Sequence, residues 1–503
     1  MIAKIHTAAN IGLQVEKVFI EVGISGGLPD LRIVGLPDAA VRESRERVRL
    51  AIKNSGFYYP MRRIVVNLAP ANIKKEGPFF DLPIAVGILQ ATGQISQQDL
   101  SRFLFLGELS LDGALRKVNG VLPIVLHFHK EKEYEYIVPS ANIPEITITG
   151  KSCLVFDNLQ QIVSYLDGNS YGDKHEGIKI DIKASDKKEP SFDFKMIKGQ
   201  KIAKRALEIA VAGGHNILLQ GPPGTGKTML ARSVPGILPD LDRESCLEIS
   251  KIYSIAGELH EQRPIIKRHP FRSPHHSSTR ASLIGGGSIP KPGEVSLSHL
   301  GVLFLDEITE FPRHVLESLR EPLEEGEVTL SRALLTCRYP ADFMLVASMN
   351  PCPCGYFGSN RKACVCDEFV MKRYMSKLSG PLLDRIDLVI TTEEIEYDDL
   401  HSKMQEESSN EVKRRVSKAR DIQKERFNNK SFSVNAGMKD CDITEFCKID
   451  QASKELLKEA YTTLNLSARA HNRILKISRT IADLAAQEKI SMVHLTEAIY
   501  YRT

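Results

Sequence analysis

Eight consecutive residues, GPPGTGKT at Gly221–Thr228, have the types and spacing that hold a nucleoside triphosphate. Glycines at 221, 224 and 226 let the backbone bend sharply and turn its N–H groups toward phosphate oxygens. The apolar run His215–Gln220 predicts a strand before this loop, and Thr228–Ser233 opens a helix whose N-terminus favours anions. In that context Lys227 reaches the β- and γ-phosphates and Thr228 ligates Mg²⁺. Pro222, Pro223, Thr225 and Met229 complete the expected nucleotide contacts. Val302–Glu307 (VLFLDE) predicts a second buried strand, ending in two carboxylates. Asp306 is expected to hold Mg²⁺ through water, and Glu307 to polarise the attacking water. A third strand, Phe343–Ser348, leads to Asn350, placed to orient that water; an Asn that merely stops a strand is the alternative. The chemistry implied is hydrolysis of Mg-ATP.

Cys352, Cys354, Cys364 and Cys366 put four thiols within fifteen residues, directly after Asn350. Such a set suits tetrahedral Zn²⁺, with an iron–sulfur cluster less favoured and free loop thiols the plain alternative. A zinc loop at this position would brace or sense the ATP site. Between the phosphate loop and VLFLDE runs a long segment, Arg268–His299, rich in Gly, Ser, His and Arg. Its length inside a compact domain predicts function or disorder, and a solvated basic loop would read the same way. His275 and His276 lack partners at ligand spacing, so hydrogen bonding is their expected role.

The elements that must position these residues fall into blocks. Residues 1–167 mix alternating strand patterns (Lys17–Val22, Arg63–Leu68) with helical runs (Ala39–Asn54, Leu82–Gly93). Residues 168–191 are polar and rich in Lys and Asp, as in a linker. Residues 192–394 alternate strand and helix, the pattern of a parallel α/β sheet, and 395–503 turn helical (Asn410–Phe427, Leu464–Gln487, Ser491–Tyr500). With 42% hydrophobic and 26% charged residues, the 503-residue chain has an ordinary globular composition. A formal charge of +4 permits local basic patches and proves nothing about partners. No apolar run approaches a membrane span and no signal peptide is evident, so a cytoplasmic protein with nine reduced cysteines is expected.

The order of phosphate loop, LFLDE, Asn350, LLDRIDL (Leu382–Leu388) and a late SARAHNR helix resembles the AAA+ superfamily. IKGQ (Ile197–Gln200), GEVTLSRA (Gly326–Ala333) and the long segment before LFLDE resemble its magnesium-chelatase-like branch. That resemblance implies that Arg385 is an arginine finger entering a neighbouring subunit's site, and that a hexameric ring forms. It also makes Arg469 the second sensor, reaching the γ-phosphate from a helical lid, with Arg473 one turn later as its rival. Ile197 and Gln200 would flank the adenine. From its neighbours alone, Arg385 between two Asp residues also fits a surface ion pair. In related ATPases the insert and a hairpin near Gly326–Arg338 point into the pore. Arg268, Arg272, Arg280, Lys291, Arg332 and Arg338 would then contact DNA phosphates by charge.

Lys74–Pro83 (KKEGPFFDLP) and Gly107–Ile124 resemble the proteolytic domain of Lon protease, which needs a Ser nucleophile and a Lys base. Phe79 and Leu122 stand where those two residues would fall, so no peptidase activity is expected. Asp81 is expected to N-cap the helix that follows it. The fold expected is α/β multidomain: a Lon-protease-like α+β N-terminal domain, an AAA+ parallel α/β core and a C-terminal helical lid. Nearly the whole chain is similar to the YifB/ComM family. The similarity implies hexameric, ATP-driven branch migration of DNA during natural transformation. Two other readings stay open: a motor inserting Mg²⁺ into a porphyrin, and a protein-remodelling ATPase without nucleic acid. The foreign N-terminal block and the lack of an integrin-like metal-binding domain weigh against the porphyrin motor.

Overall fold

The computed structural model describes all residues except 1, 76, 129–133, 170–171, 176–191, 261, 288–289, 333–334, 360, 395–405 and 503. Most of the expected linker, and the expected boundary after 394, therefore lie outside the described residues, as does the side chain of Arg332.

Ile2–Ile11 and Gln14–Ser25 form a long antiparallel hairpin, extended by Arg63–Ala69 and then by Asp30–Val34 in parallel. The helix Asp81–Ala91 is apolar all round and buried from Asp81 to Gln90, so it forms the centre of this region's core against Ile5, Ile20 and Val22. Helix Ala39–Asn54 covers it and is capped by Asp38, whose carboxylate accepts the Val41 N–H at 2.7 Å. Asp81 does not take the capping role expected of it. A short 3-10 turn, Pro78–Phe80, leads directly into the helix and makes Asp81 its first residue, fully buried. Its carboxylate there needs a cation and receives Arg47, with Nε at 2.9 Å and Nη2 at 3.2 Å. A second sheet joins Phe103–Phe105, Glu135–Pro139, Cys153–Phe156 and Asp173–His175.

The sheet that carries the phosphate loop has five parallel strands in the order Phe271–Arg272, Val302–Leu305, Met344–Met349, Ile217–Gln220, Leu388–Thr391. The three central strands are short apolar runs buried on both faces, as parallel strands require. Their carboxyl ends bring the phosphate loop, Asp306–Glu307 and Asn350 to one edge. C-terminal helices Ser409–Arg426 and Ala468–Leu484 pack on helix Lys201–Gly213 and extend the sheet's core. Gln423 Nε2 donates to Ala212 O at 3.0 Å across that contact.

Helix Arg243–Ala256 joins the region of the parallel sheet to the N-terminal region through one apolar seam, with Leu122 and Ile148 against Cys246, Ile249 and Ile252. Inside the seam Glu145 accepts Ser254 Oγ at 2.8 Å and faces Lys117 at 3.8 Å. Two β-hairpins rise beside it, Gly285–Gly286 with Lys291–Pro292, and Glu327–Arg332 with Leu335–Pro340. They share a base, because the buried Tyr339 hydroxyl donates to Pro290 O at 2.8 Å.

Candidate ATP site

Gly224 and Gly226 adopt positive φ of 81° and 86°, and the loop they form closes over the start of helix Lys227–Ser233. Gly221 is needed for a different reason: a side chain there would meet Thr392 Oγ1 at 2.1 Å. Lys227 is buried, and its ammonium donates to Gly221 O at 2.6 Å, Pro222 O at 2.8 Å and Asn350 Oδ1 at 3.3 Å. Burial lowers its pKa below the ordinary lysine value, against the pull of Asp306 and Glu307. Thr228 Oγ1 donates to Asp306 Oδ2 at 3.0 Å, which places both expected magnesium residues face to face. Glu307 is exposed beside them. Hydrogen bonds thus join the phosphate loop to Asn350 through Lys227 and to Asp306 through Thr228.

Gln200 Nε2 spans Thr225 O at 3.1 Å and Glu393 O at 2.6 Å, tying the segment before the helix to the phosphate loop. Ile197 is buried beside it, and Met229, Pro223 and Gly224 face outward. Two residues that sequence reading missed complete the cluster. Ser348 Oγ bonds to Asp306 and accepts the Glu307 N–H at 3.1 Å. Thr392 Oγ1 lies 2.8 Å from Thr225 Oγ1. Ser348 precedes Asn350 by two, so strand alternation puts both on one face, a signal readable in advance. Thr392 could not be found that way, because its strand becomes a neighbour of the loop only in the folded sheet.

The three arginines sit elsewhere. Leu388 pairs with Ile217 and Thr391 with Gln220, so Arg385 lies off the amino ends of strands whose carboxyl ends carry the loop. The strand alone separates them by about 10 Å. Arg385 Nη1 donates to Pro381 O at 2.6 Å and Nη2 pairs with Glu324. Arg473 is largely buried and committed to Asp387 at 3.2 Å and Ile386 O at 3.1 Å. Arg469 is 62% exposed and only 3.8 Å from Asp384, beside Arg385. Within one chain, then, neither Arg385 nor Arg469 is at the phosphate loop.

The family model described as magnesium chelatase, subunit ChlI, matches residues 193–400. Models for the ChlI subunit and its C-terminal part match 20–142 and 406–502. YifB of Escherichia coli strain K12 is 43% identical over 99% of this chain and 96% of its own length. Competence protein ComM of Haemophilus influenzae is 42% identical over 100% and 97%. The chain belongs to the YifB/ComM family. In this YifB/ComM-family protein the mixed α/β architecture, the parallel sheet and the nucleotide cluster are those of a magnesium-chelatase-like AAA+ ATPase, which uses ATP and Mg²⁺. A magnesium-chelatase 38 kDa subunit of Rhodobacter capsulatus is 26% identical over 33% of the chain.

Other residues singled out from the YifB/ComM-family sequence separate on inspection. Arg280, Lys291, Arg268 and Arg338 are exposed. Arg272 is not available to a phosphate: Nε and Nη2 bind Glu294 at 2.6 and 2.7 Å, and Nη1 binds Glu258 at 2.9 Å. Its strand packs beside Val302–Leu305, where burial demands that the guanidinium be paired. His275 Nδ1 lies 2.8 Å from Ser277 Oγ, the hydrogen-bonding role expected of it. The four thiols Cys352, Cys354, Cys364 and Cys366 have Sγ atoms within 4.8 Å of one another. Among the described helices none is long and apolar enough to cross a membrane.

Proposed function

We propose that this chain is the subunit of a cytoplasmic, hexameric AAA+ motor that moves on or remodels DNA at the expense of ATP. The observation that carries the ring is the distance of Arg385 and Arg469 from their own phosphate loop. On this reading both reach a neighbour's γ-phosphate, and each site is shared between two subunits. Arg385, 11% exposed and paired with Glu324, exchanges that partner for the nucleotide when the ring closes. Thr228 and, through water, Asp306 would hold Mg²⁺, which would supply charge neutralisation at the phosphates. Glu307 takes a proton from the attacking water while Asn350 holds that water and Lys227 draws the γ-phosphate in. Ile197 and Gln200 flank the base, and the four thiols would hold Zn²⁺ as a second metal.

DNA as the substrate is supported by exposed basic residues on and around the two hairpins, Arg280, Lys291 and Arg338, with Arg268 and Arg332 near them in sequence. The name of the Haemophilus influenzae relative, a competence protein, supports a role in natural transformation, where branch migration is the remodelling step proposed for this motor. The N-terminal region is a Lon-protease-like fold reused for assembly or DNA contact. The position of the absent base, Leu122, is buried in the seam with the ATPase region, and Phe79 packs on Phe80.

The deciding experiment measures ATP turnover with single-stranded, duplex and four-way-junction DNA, together with gel shifts across salt concentrations. DNA-stimulated turnover and junction processing are expected. Turnover indifferent to every DNA, with no shift in the presence of ATP, overturns the motor and leaves protein remodelling.

A further inference from the structure

Among its described residues the segment 352–366 has no regular secondary structure and little to fold it. Phe357 is 53% exposed and Val365 82% exposed, and of the four cysteines only Cys352 is buried. Yet its sulfurs converge. Cys352 Sγ lies 3.3 Å from Cys354 Sγ and 3.6 Å from Cys364 Sγ, and Cys354 and Cys364 are 3.6 Å apart. A tetrahedral ZnS₄ centre with Zn–S near 2.3 Å has sulfurs about 3.8 Å apart. Backbone N–H groups of Phe357 and Cys366 point at Cys352 and Cys364 sulfurs, each at 3.4 Å, as they do where thiolates carry charge.

What this knuckle touches is the catalytic cluster. Asn350 is two residues before its first thiol and accepts Lys227. Gly355 turns at φ 85°, and a side chain there would come within 2.9 Å of the Pro223 ring, so the turn lies flat on the phosphate loop. Ser359 Oγ donates to Glu394 at 2.6 Å, next to the carbonyl of Glu393 that holds Gln200. After Cys366 the helix Glu368–Met375 sets Tyr374, whose hydroxyl takes Thr309 Oγ1 at 2.6 Å, two residues past Glu307. The segment thus lies against the phosphate loop, follows Asn350 directly and leads into the helix whose Tyr374 holds the turn after Glu307.

We propose that Zn²⁺ on Cys352, Cys354, Cys364 and Cys366 folds this segment into a strut for the nucleotide site, so that metal occupancy sets ATP affinity and turnover. The proposal rests on the zinc assignment and on an ATPase reading of the loop, but on no property of DNA. The knuckle residues are positioning residues: none is placed to touch the nucleotide's reacting atoms.

The test uses the full-length chain. Metal content is measured by atomic emission, zinc release by a colorimetric chelator after thiol modification, and Mg-ATP binding and turnover alongside. Wild type is expected to hold stoichiometric zinc. Cys364→Ser with Cys366→Ser is expected to lose the zinc and to weaken Mg-ATP binding and turnover roughly tenfold or more. The far-ultraviolet spectrum and the melting of the N-terminal region should stay in place. Gly355→Ala separates bracing from metal binding: it keeps four thiols and zinc, and should still raise the Mg-ATP dissociation constant by pushing on Pro223. Purified protein without zinc, or with iron and sulfide in its place, overturns the assignment. Zinc-free variants that bind and hydrolyse ATP as wild type does overturn the strut. Zinc-loaded wild type with no turnover would instead sink the ATPase reading and leave the metal site standing.

Discussion

Glu307 holds a left-handed backbone conformation, φ 51°, which a non-glycine residue adopts at a cost of about 1 kcal/mol or more. The strain is held by Ser348, whose hydroxyl takes the Glu307 N–H while bonding to Asp306. One serine thus fixes the Asp306 carboxylate and the backbone that carries Glu307. Replacing Glu307 by Gln should leave ATP binding intact and lower turnover by roughly 100-fold or more, read as phosphate release against nucleotide binding. Normal turnover would remove Glu307 from its role. Asp81 and Arg47 make a structural prediction of a different kind. Burial pushes the Asp81 carboxyl up against the pull of Arg47. Asp81→Ala would leave Arg47 unpaired and should cost about 3 kcal/mol, the low end for such a break because Arg47 keeps some solvent. Denaturant unfolding would measure it. Asp387 provides the pH dependence. Burial raises its pKa, but His215, Arg473 and the Asn216 N–H together hold it below the ordinary carboxylate value. Its stabilisation is therefore complete above the unfolded value of about 4 and lost as pH falls through the lower folded value. Asp387→Asn should be less stable than wild type at neutral pH and match it in strong acid; a constant gap would refute the linkage.

At the scale of elements, the two hairpins matter most. Their shared base at Tyr339 and Pro290 is buried, while Lys291 and Arg338 stay exposed. Exposed cations of this kind bind phosphate by counterion release, without reading sequence. Arg338→Ala should weaken DNA binding equally for unrelated sequences and reduce the salt slope by about 1. A sequence-dependent loss, or no change in slope, would remove Arg338 from the interface. Arg272 should behave oppositely, lowering stability when changed, since Glu294 and Glu258 would lose their cation. Composition could not tell these arginines apart, because pairing depends on residues that only folding brings near. Helix Ala39–Asn54, by contrast, was readable end to end from its period.

For the whole molecule, the division of the site between subunits makes a complementation prediction. Lys227→Ala and Arg385→Ala rings should each be inactive. Mixed in equal amounts, they should regain activity at about a quarter of interfaces, where an intact loop meets an intact arginine. Co-assembled rings that stay silent would place Arg385 outside the neighbour's site.

The nucleotide chemistry was legible in the residues themselves, because loop, acidic pair and strand-end Asn350 are each set by spacing within a few consecutive positions. Strand alternation and helical period fixed the elements that carry them for the same local reason. Tertiary structure alone decided the Asp81–Arg47 pair, the Glu145–Ser254 seam, the commitment of Arg473 and the exposure of Arg469. Each depends on residues that are distant along the chain, and their burial determines whether a charge must be satisfied inside the fold or can be offered to a partner.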